Sequence, residues 1–319
     1  MNELEAILSG STVSTDDVVI DSVTKIDKYS DGFVPRVRQT VTYIVCTVLV
    51  NDNNEILMVQ EAKHPCRGKW YLPAGRMELN ETVEAAAQRE VLEESGLTYN
   101  PTTLVYIEAM RYHWLRFTLT GTVTGGKLKA LDLNDKDSLQ AQWFDMATIK
   151  STLTVRAHDI FPLIHEILRR RLGSPPIHHS ILPTNLPHSK MLLRLIVMRT
   201  VGENRERQVL VSLSGHTHLP NAMFYGSDST IRSLLQNVFK HPVEPSVRIH
   251  GVVSLEHDGR PAYAHDGMRL TVLITLDNTA TSNVQIADEK RYRWMTVTDS
   301  NVVQHLDSLS VGSVALRSH

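Results

Sequence analysis

Cysteine is nearly missing from this chain: Cys46 and Cys66 are the only two in 319 residues. That excludes a disulfide framework and a cysteine-ligated zinc site, and points to a reducing cytoplasmic or nuclear setting. Positive charge is not in excess either, since 33 Lys and Arg stand against 35 Asp and Glu for a net charge of -2. Without a basic footprint, polymeric DNA or RNA is not the expected ligand, whereas a single nucleotide needs only a local site. Long apolar runs are lacking: Tyr43 to Val50 is far too short to span a bilayer, and no membrane contact is expected. The opening MNELEAILSGSTVSTDD is acidic and has none of the basic, apolar and small-residue segments of a signal peptide.

What is present suffices for two domains, each with its own core: 42% of the residues are apolar and 21% charged, the composition of an ordered globular chain. Residues 1–36 show no sustained period and read as an N-terminal tail. Tyr43 to Val50 and Ile56 to Gln60 flank the turn signal NDNNE and are expected to pair as a hairpin. Thr103 to Ala109, Leu115 to Val123 and Ala141 to Phe144 read as further strands, and Asp159 to Leu172 carries a helical apolar stripe. Residues 173–190 hold Pro175, Pro176, Pro183 and Pro187, a density that marks a linker. The first domain therefore runs from 37 to 172 and the second from 191 to 319.

Between the second and third strands lies a helix with more negative charge than a helix tolerates. With Asn80 as the expected N-cap and Gly96 as a left-handed C-cap, Glu90, Glu93 and Glu94 share one face near the C-terminus. Like charges at that spacing repel, and the macrodipole there is already negative. Arg89 alone cannot neutralise three carboxylates, so the face is either a solvated acidic surface or a seat for a hard divalent cation such as Mg2+, with Mn2+ as a substitute.

The register of these residues resembles the Nudix box, G-x5-E-x7-R-E-U-x-E-E-x-G-U with U aliphatic. Gly75, Glu81, Arg89, Glu90, Val91, Glu93, Glu94, Gly96 and Leu97 match every specified position. The resemblance to Nudix hydrolases of the MutT type implies an α/β/α sandwich with a mixed sheet. It implies Mg2+ held by Glu90, Glu93, Glu94 and the Gly75 carbonyl. Glu93 is then the expected general base with Glu94 as the alternative, and Glu81 pairs with Arg89. Phosphoryl transfer leaves the protein mainly positioning and charge neutralisation, which suits this set.

The flanks EAKHPCRGKWYLPAGRME and VRAHDI resemble the MutT-type branch that acts on oxidised purine nucleoside diphosphates. This implies 8-oxo-dGDP, 8-oxo-GDP or 8-oxo-dADP as substrate and sanitation of the nucleotide pool as purpose. Leu57, Trp70 and Leu72 are either an apolar slot for the purine or core. Asp159 either reads the base edge or caps the following helix, and Arg76 either meets phosphate or is solvated. Three rivals stand beside this. An ADP-ribose hydrolase has a proline a short way past the box, where Tyr112 lies, and a dinucleoside polyphosphate hydrolase has a tyrosine near there. A regulatory binding module would show losses among the glutamates.

Beyond residue 190 the chain repeats itself. LPNAMFYGSDSTIRSLLQNVFKH, from Leu219, aligns without a gap on LPAGRMELNETVEAAAQREVLEE, from Leu72, and Trp294 answers Trp143. Gly75 becomes Ala222, Glu81 becomes Asp228, Arg89 becomes Gln236, Glu90 becomes Asn237, Glu93 becomes Lys240 and Glu94 becomes His241. The apolar Val91 and Leu92 become Val238 and Phe239. A second, degenerate Nudix-like domain is expected to fold without metal and to serve structure or regulation, with no protein partner specified. His216 and His218 read as surface histidines.

Overall fold

Runs rich in β-branched residues become strands in both halves of the chain, and the two halves repeat one topology. The computed structural model describes residues 2–9, 19–21, 32–110, 113–172, 180–224, 227–243, 246–276, 284–309 and 314–318. In chain order the first half contains α1 (Asn2–Ser9), β1 (Thr42–Thr47), β2 (Ile56–Glu61), β3 (Trp70–Tyr71), β4 (Ala74–Arg76) and α2 (Val83–Ser95). It continues with β5 (Leu97–Met110), β6 (Trp114–Gly126), β7 (Ser138–Phe144), α3 (Met146–Ser151) and α4 (Ile160–Leu172). The second half contains β8 (His188–Val201), β9 (Glu206–Ser212), β10 (Asn221–Met223), α5 (Ser227–Val238) and β11 (Val247–Glu256). It ends with β12 (Asp266–Leu276), β13 (Tyr292–Thr296), α6 (Ser300–Leu309) and β14 (Ala315–Ser318).

In the first half β1 runs parallel to β6 and antiparallel to β4, while β5 is antiparallel to β6; in the second, β8 runs parallel to β12 and antiparallel to β10, while β11 is antiparallel to β12. Val45 faces Gly75 across β1 and β4, and Leu193 faces Ala222 across β8 and β10. Leu57 faces Trp143 across β2 and β7, and Leu210 faces Trp294 across β9 and β13.

The mixed sheet of the first half lies between helices. Val45 joins the cluster with Val83, Ala86, Ala87 and Val91 of α2, whereas Cys46 and Val48 join Ile160, Leu163, Ile164 and Ile167 of α4. Alternation along β1 thus sends successive side chains to opposite layers. Leu92 does not share the packing face of α2; it is 49% exposed, although its counterpart Phe239 is buried.

Four expectations are corrected. First, β1 and β2 are joined by the NDNNE turn but do not pair along their length. β1 lies in the five-stranded sheet β14-β5-β6-β1-β4 and β2 in the three-stranded sheet β3-β2-β7, with a bridge only between Val50 and Ile56. Second, the described part of residues 1–36 is not a loose tail. α1 buries Leu4 and Ile7 among Ile196, Leu219 and Leu306, and Glu3 bonds Arg194. Third, the described part of the proline-rich segment is docked rather than free. The Leu104 N–H donates to the Ile181 carbonyl at 2.8 Å and the Thr184 N–H to the Leu255 carbonyl at 2.8 Å, and β8 already starts at His188. Fourth, His218 is buried, bonded to Asp21 and to the His216 carbonyl. The halves are joined further by β14, which runs parallel to β5 from Tyr106 to Ala109.

Candidate active site

The acidic helix is set by its caps. Thr82, not Asn80, is the N-cap: its hydroxyl accepts from the Ala85 N–H at 3.2 Å, and Asn80 sits before it in a left-handed turn with φ 63°. Gly96 ends the helix at φ 76°, donating its N–H to the Leu92 carbonyl. Between these caps the spacing brings Arg89 onto the carboxylates. Its Nε and Nη2 donate to the two oxygens of Glu81 at 2.6 and 3.0 Å, and its Nη1 donates to Glu90 Oε1 at 2.8 Å and Glu93 Oε2 at 3.1 Å. Glu94 turns the other way and accepts from the Ala74 N–H at 3.0 Å.

Burial pushes the Glu94 carboxyl well above its ordinary range, and burial also raises Glu90 against the pull of Arg89. Glu81 goes the other way: burial pushes it up, but hydrogen bonds from Arg89 and the Glu78 N–H outweigh that and hold it low. Gly75 meets this face at close quarters. A Cβ built on it would fall on the Glu90 carboxylate, so only glycine lets the β4 backbone approach so near.

The face opens into a cleft of about 910 Å³ whose lining includes Gly75, Arg76, Glu90, Glu93, Glu94 and Asp159. Leu57, Trp70 and Leu72 do not line it; at 0%, 8% and 1% exposure they are core, Leu57 in the cluster that holds the apolar face of α2 and Trp70 and Leu72 in the cluster that holds that of α4. The apolar surface of the cleft comes instead from Ile44, Tyr71, Met110, Trp114 and Ala157.

Asp159 also lines the cleft, where its Oδ2 accepts from the Tyr71 hydroxyl at 2.8 Å and from Arg116 Nη1 at 2.5 Å. Burial pushes its carboxyl up, yet these two donors win and hold it below the usual range. Arg116 is buried and donates its Nε to the equally buried Glu108 at 2.6 Å. Arg156 stacks over the Tyr71 ring at 4.9 Å and donates to Glu61 at 2.7 Å. Sequence reasoning missed Arg116, Glu108 and Tyr71. The signal was there in part: a charged residue in the middle of each apolar run, VYIEAM and WLRFTLT, requires a buried partner. Tyr112 lies outside the described residues.

Residues 41–164 match the family model of the NUDIX domain. Relatives similar over most of the chain include the 8-oxo-dGDP phosphatase NUDT18 of Mus musculus, 36% identical and covering 85% of this chain and 84% of the relative. The 8-oxo-dGDP phosphatase NUDT18 of Danio rerio is 34% identical over 98% of this chain and 95% of its own length. The chain belongs to the Nudix hydrolases. A third relative, the putative nudix hydrolase 1 of Caenorhabditis elegans, is 26% identical over 82% of this chain and 76% of that protein.

Nudix hydrolases generally need a divalent metal, and the donor set here fits one. Glu90, Glu93 and Glu94 offer hard oxygen ligands, and burial leaves Glu90 and Glu94 short of compensating charge. Among the described residues no three acidic or imidazole groups converge on one point as they stand. Glu90 and Glu93 are both turned to the Arg89 guanidinium.

Proposed function

We propose that this Nudix hydrolase is an Mg2+-dependent phosphatase of oxidised purine nucleoside diphosphates, such as 8-oxo-dGDP, releasing the monophosphate and orthophosphate. One observation carries the reading. A single cleft is lined both by the glutamates of α2 and by an aspartate fixed by Arg116 and Tyr71. Relatives named for 8-oxo-dGDP hydrolysis over nearly the same length support the choice of substrate.

Glu90, Glu93, Glu94 and the Gly75 carbonyl would hold the cation. When bound, Mg2+ supplies positive charge to the phosphate oxygens and acidity to a water. The protein's own groups do the rest. Glu93, the most exposed of the three with a side chain at 44%, takes the proton from the attacking water as general base. Glu94, whose carboxyl is buried and raised, is the alternative. Arg76 opens to the cleft beside them and meets the departing phosphate. Asp159, held ionised, is an acceptor only, and its remaining oxygen suits the N–H donors on an oxidised purine edge. Ile44, Met110 and Trp114 give the base an apolar bed. We place this activity in the cytoplasm or nucleus, as nucleotide-pool sanitation, with no membrane or polymeric nucleic acid involved.

Steady-state kinetics with Mg2+ across 8-oxo-dGDP, 8-oxo-dGTP, dGDP, ADP-ribose and diadenosine tetraphosphate test the reading. The highest kcat/KM is expected for 8-oxo-dGDP. A clear preference for ADP-ribose or the dinucleotide would overturn it.

A further inference from the structure

The second half touches the first beside the acidic helix, through a loop that it has at greater length. Twelve residues separate Glu256 from Arg269, where seven separate Glu108 from Arg116, the pair in the matching register of the first half. The additional length falls within residues 258–266, and the loop is well braced. The Ala264 and His265 N–H groups donate to the Pro261 carbonyl, each at 3.2 Å, and the Tyr263 N–H donates to Asp266 Oδ1 at 3.0 Å. His257 at its base is fully buried, bonded to the Gly267 carbonyl at 2.7 Å and set edge-on to the Tyr43 ring. Asp266 anchors the loop to the first half: its Oδ2 accepts from the Val37 N–H at 2.7 Å, and its carbonyl accepts from the Tyr43 hydroxyl at 2.8 Å.

The tip of this loop reaches the turn that precedes α2. The Ala262 N–H donates to Asn80 Oδ1 at 2.8 Å. Gly259 comes so near that a Cβ on it would stand 2.6 Å from the Glu81 carbonyl oxygen. Asn80 and Gly259 both have left-handed backbones, at φ 63° and 72°. From there the connection to the glutamates is short. Glu81 holds Arg89 with both oxygens, and Arg89 holds Glu90 and Glu93.

The geometry points to a positioning role for the 258–266 loop in hydrolysis. By fixing Asn80 and the Glu81 backbone, it keeps the Glu81 carboxylate on Arg89, and Arg89 keeps Glu90 and Glu93 in register with Gly75. This inference rests on the hydrolase reading above. It makes the degenerate half a working part of the enzyme rather than an appended binding module.

Asn80→Gly keeps the left-handed backbone but removes the acceptor, while Asn80→Asp keeps both, because glycine, asparagine and aspartate all tolerate this conformation. In the full chain with Mg2+ and 8-oxo-dGDP, Asn80→Gly is expected to lower kcat about five- to tenfold with KM within about twofold, and Asn80→Asp to restore most of it. Gly259→Ala, made from the other half, should lower kcat similarly. The double variant Asn80→Gly, Gly259→Ala should fall no further than the worse single one, as residues acting through one contact do. The Glu78 amide, which donates to Glu81 Oε2 at 2.8 Å, gives a second readout. Its hydrogen exchange should quicken in Asn80→Gly and Gly259→Ala and not in Asn80→Asp. Unchanged kcat and unchanged exchange in Asn80→Gly would overturn the proposal, as would a loss that Asn80→Asp shares. If the parent chain hydrolyses no oxidised nucleotide, the exchange readout still decides the role of the loop, and the hydrolase reading alone fails.

Discussion

Arg269 stands in the second half where Arg116 stands in the first. Arg116 faces Ile44 across the parallel pair β1 and β6, and Arg269 faces Leu192 across β8 and β12; each also lies opposite a buried glutamate on the neighbouring antiparallel strand. Arg116 Nε donates to Glu108 at 2.6 Å and Arg269 Nε to Glu256 at 2.8 Å. The copy that has lost Glu90, Glu93 and Glu94 retains this ion pair, so the pair belongs to the scaffold. In the first half its guanidinium has a second task, holding Asp159 at the cleft.

Arg116→Met tests both tasks. It leaves Glu108 buried without the guanidinium and is expected to cost about 3–5 kcal/mol of stability, measured by urea unfolding. Replacing Glu108 by Leu in the same chain should recover part of that loss while leaving Asp159 held by Tyr71 alone, with KM for 8-oxo-dGDP raised in both variants. Equal stability of Arg116→Met and the parent would show that the pair contributes nothing.

Glu93→Gln preserves shape and hydrogen bonding capacity but removes the carboxylate proposed as the base. Hydrolysis is expected to fall by at least about a hundredfold, with the circular dichroism spectrum and Tm unchanged. A variant as active as the parent would transfer the assignment to Glu94.

Gly75→Ala places a methyl group where the Glu90 carboxylate lies. Displacing that carboxylate by about 1 Å should cost on the order of a hundredfold in kcat. Mn2+ titration followed by water proton relaxation should show weaker metal binding in the variant. Retained affinity and rate would mean that Glu90 is not a metal ligand.

Acid should weaken the second half through Glu256. Burial raises this carboxyl, but His188, Arg194 and Arg269 outweigh burial and lower it from 4.5 to about 2. A carboxylate depressed on folding stabilises fully above its unfolded value, so its contribution disappears as pH falls from 4.5 towards 2. His188, which burial holds below 6.5, adds a loss in the same direction, since it resists the proton that the unfolded chain accepts. Glu256→Gln should be less stable than the parent at pH 7 and show a flatter fall in Tm across the acid window. An unchanged slope would contradict the assignment.

A chain cut after Leu172 should not behave as an independent enzyme. Tyr43 bonds Met191 and Asp266, and Val45 shares a cluster with Leu193 and Leu195, so the cut exposes a built interface. Aggregation or a marked fall in Tm is expected. Full solubility with parental kcat would show that the first half stands alone.

The acidic helix was legible in sequence because helical spacing alone puts Glu90 and Glu93 within reach of Arg89 and Gly96 ends the helix, whereas the turn of Glu94 towards the Ala74 N–H was not. The repeat was legible for a similar reason, as Ala222 and Trp294 keep the register of Gly75 and Trp143 even where the acidic residues are gone. Both are local or collinear properties, written in the order of residues along the chain. The burial of Leu57, Trp70 and Leu72 was not legible: their chemistry suits a purine, and only packing against helices far along the chain turns them into core. Nor were the partners of Asp159 legible, because Tyr71 and Arg116 reach it from two different strands and Arg116 is itself held by Glu108 on a third. The same holds for Asn80, expected as a helix cap and found holding Ala262 of the other half. The sequence by itself determined the family, the charged helix and the duplication. The tertiary structure alone decided which side chains line the cleft and that the second half braces the first, since those outcomes depend on contacts between segments far apart in the chain.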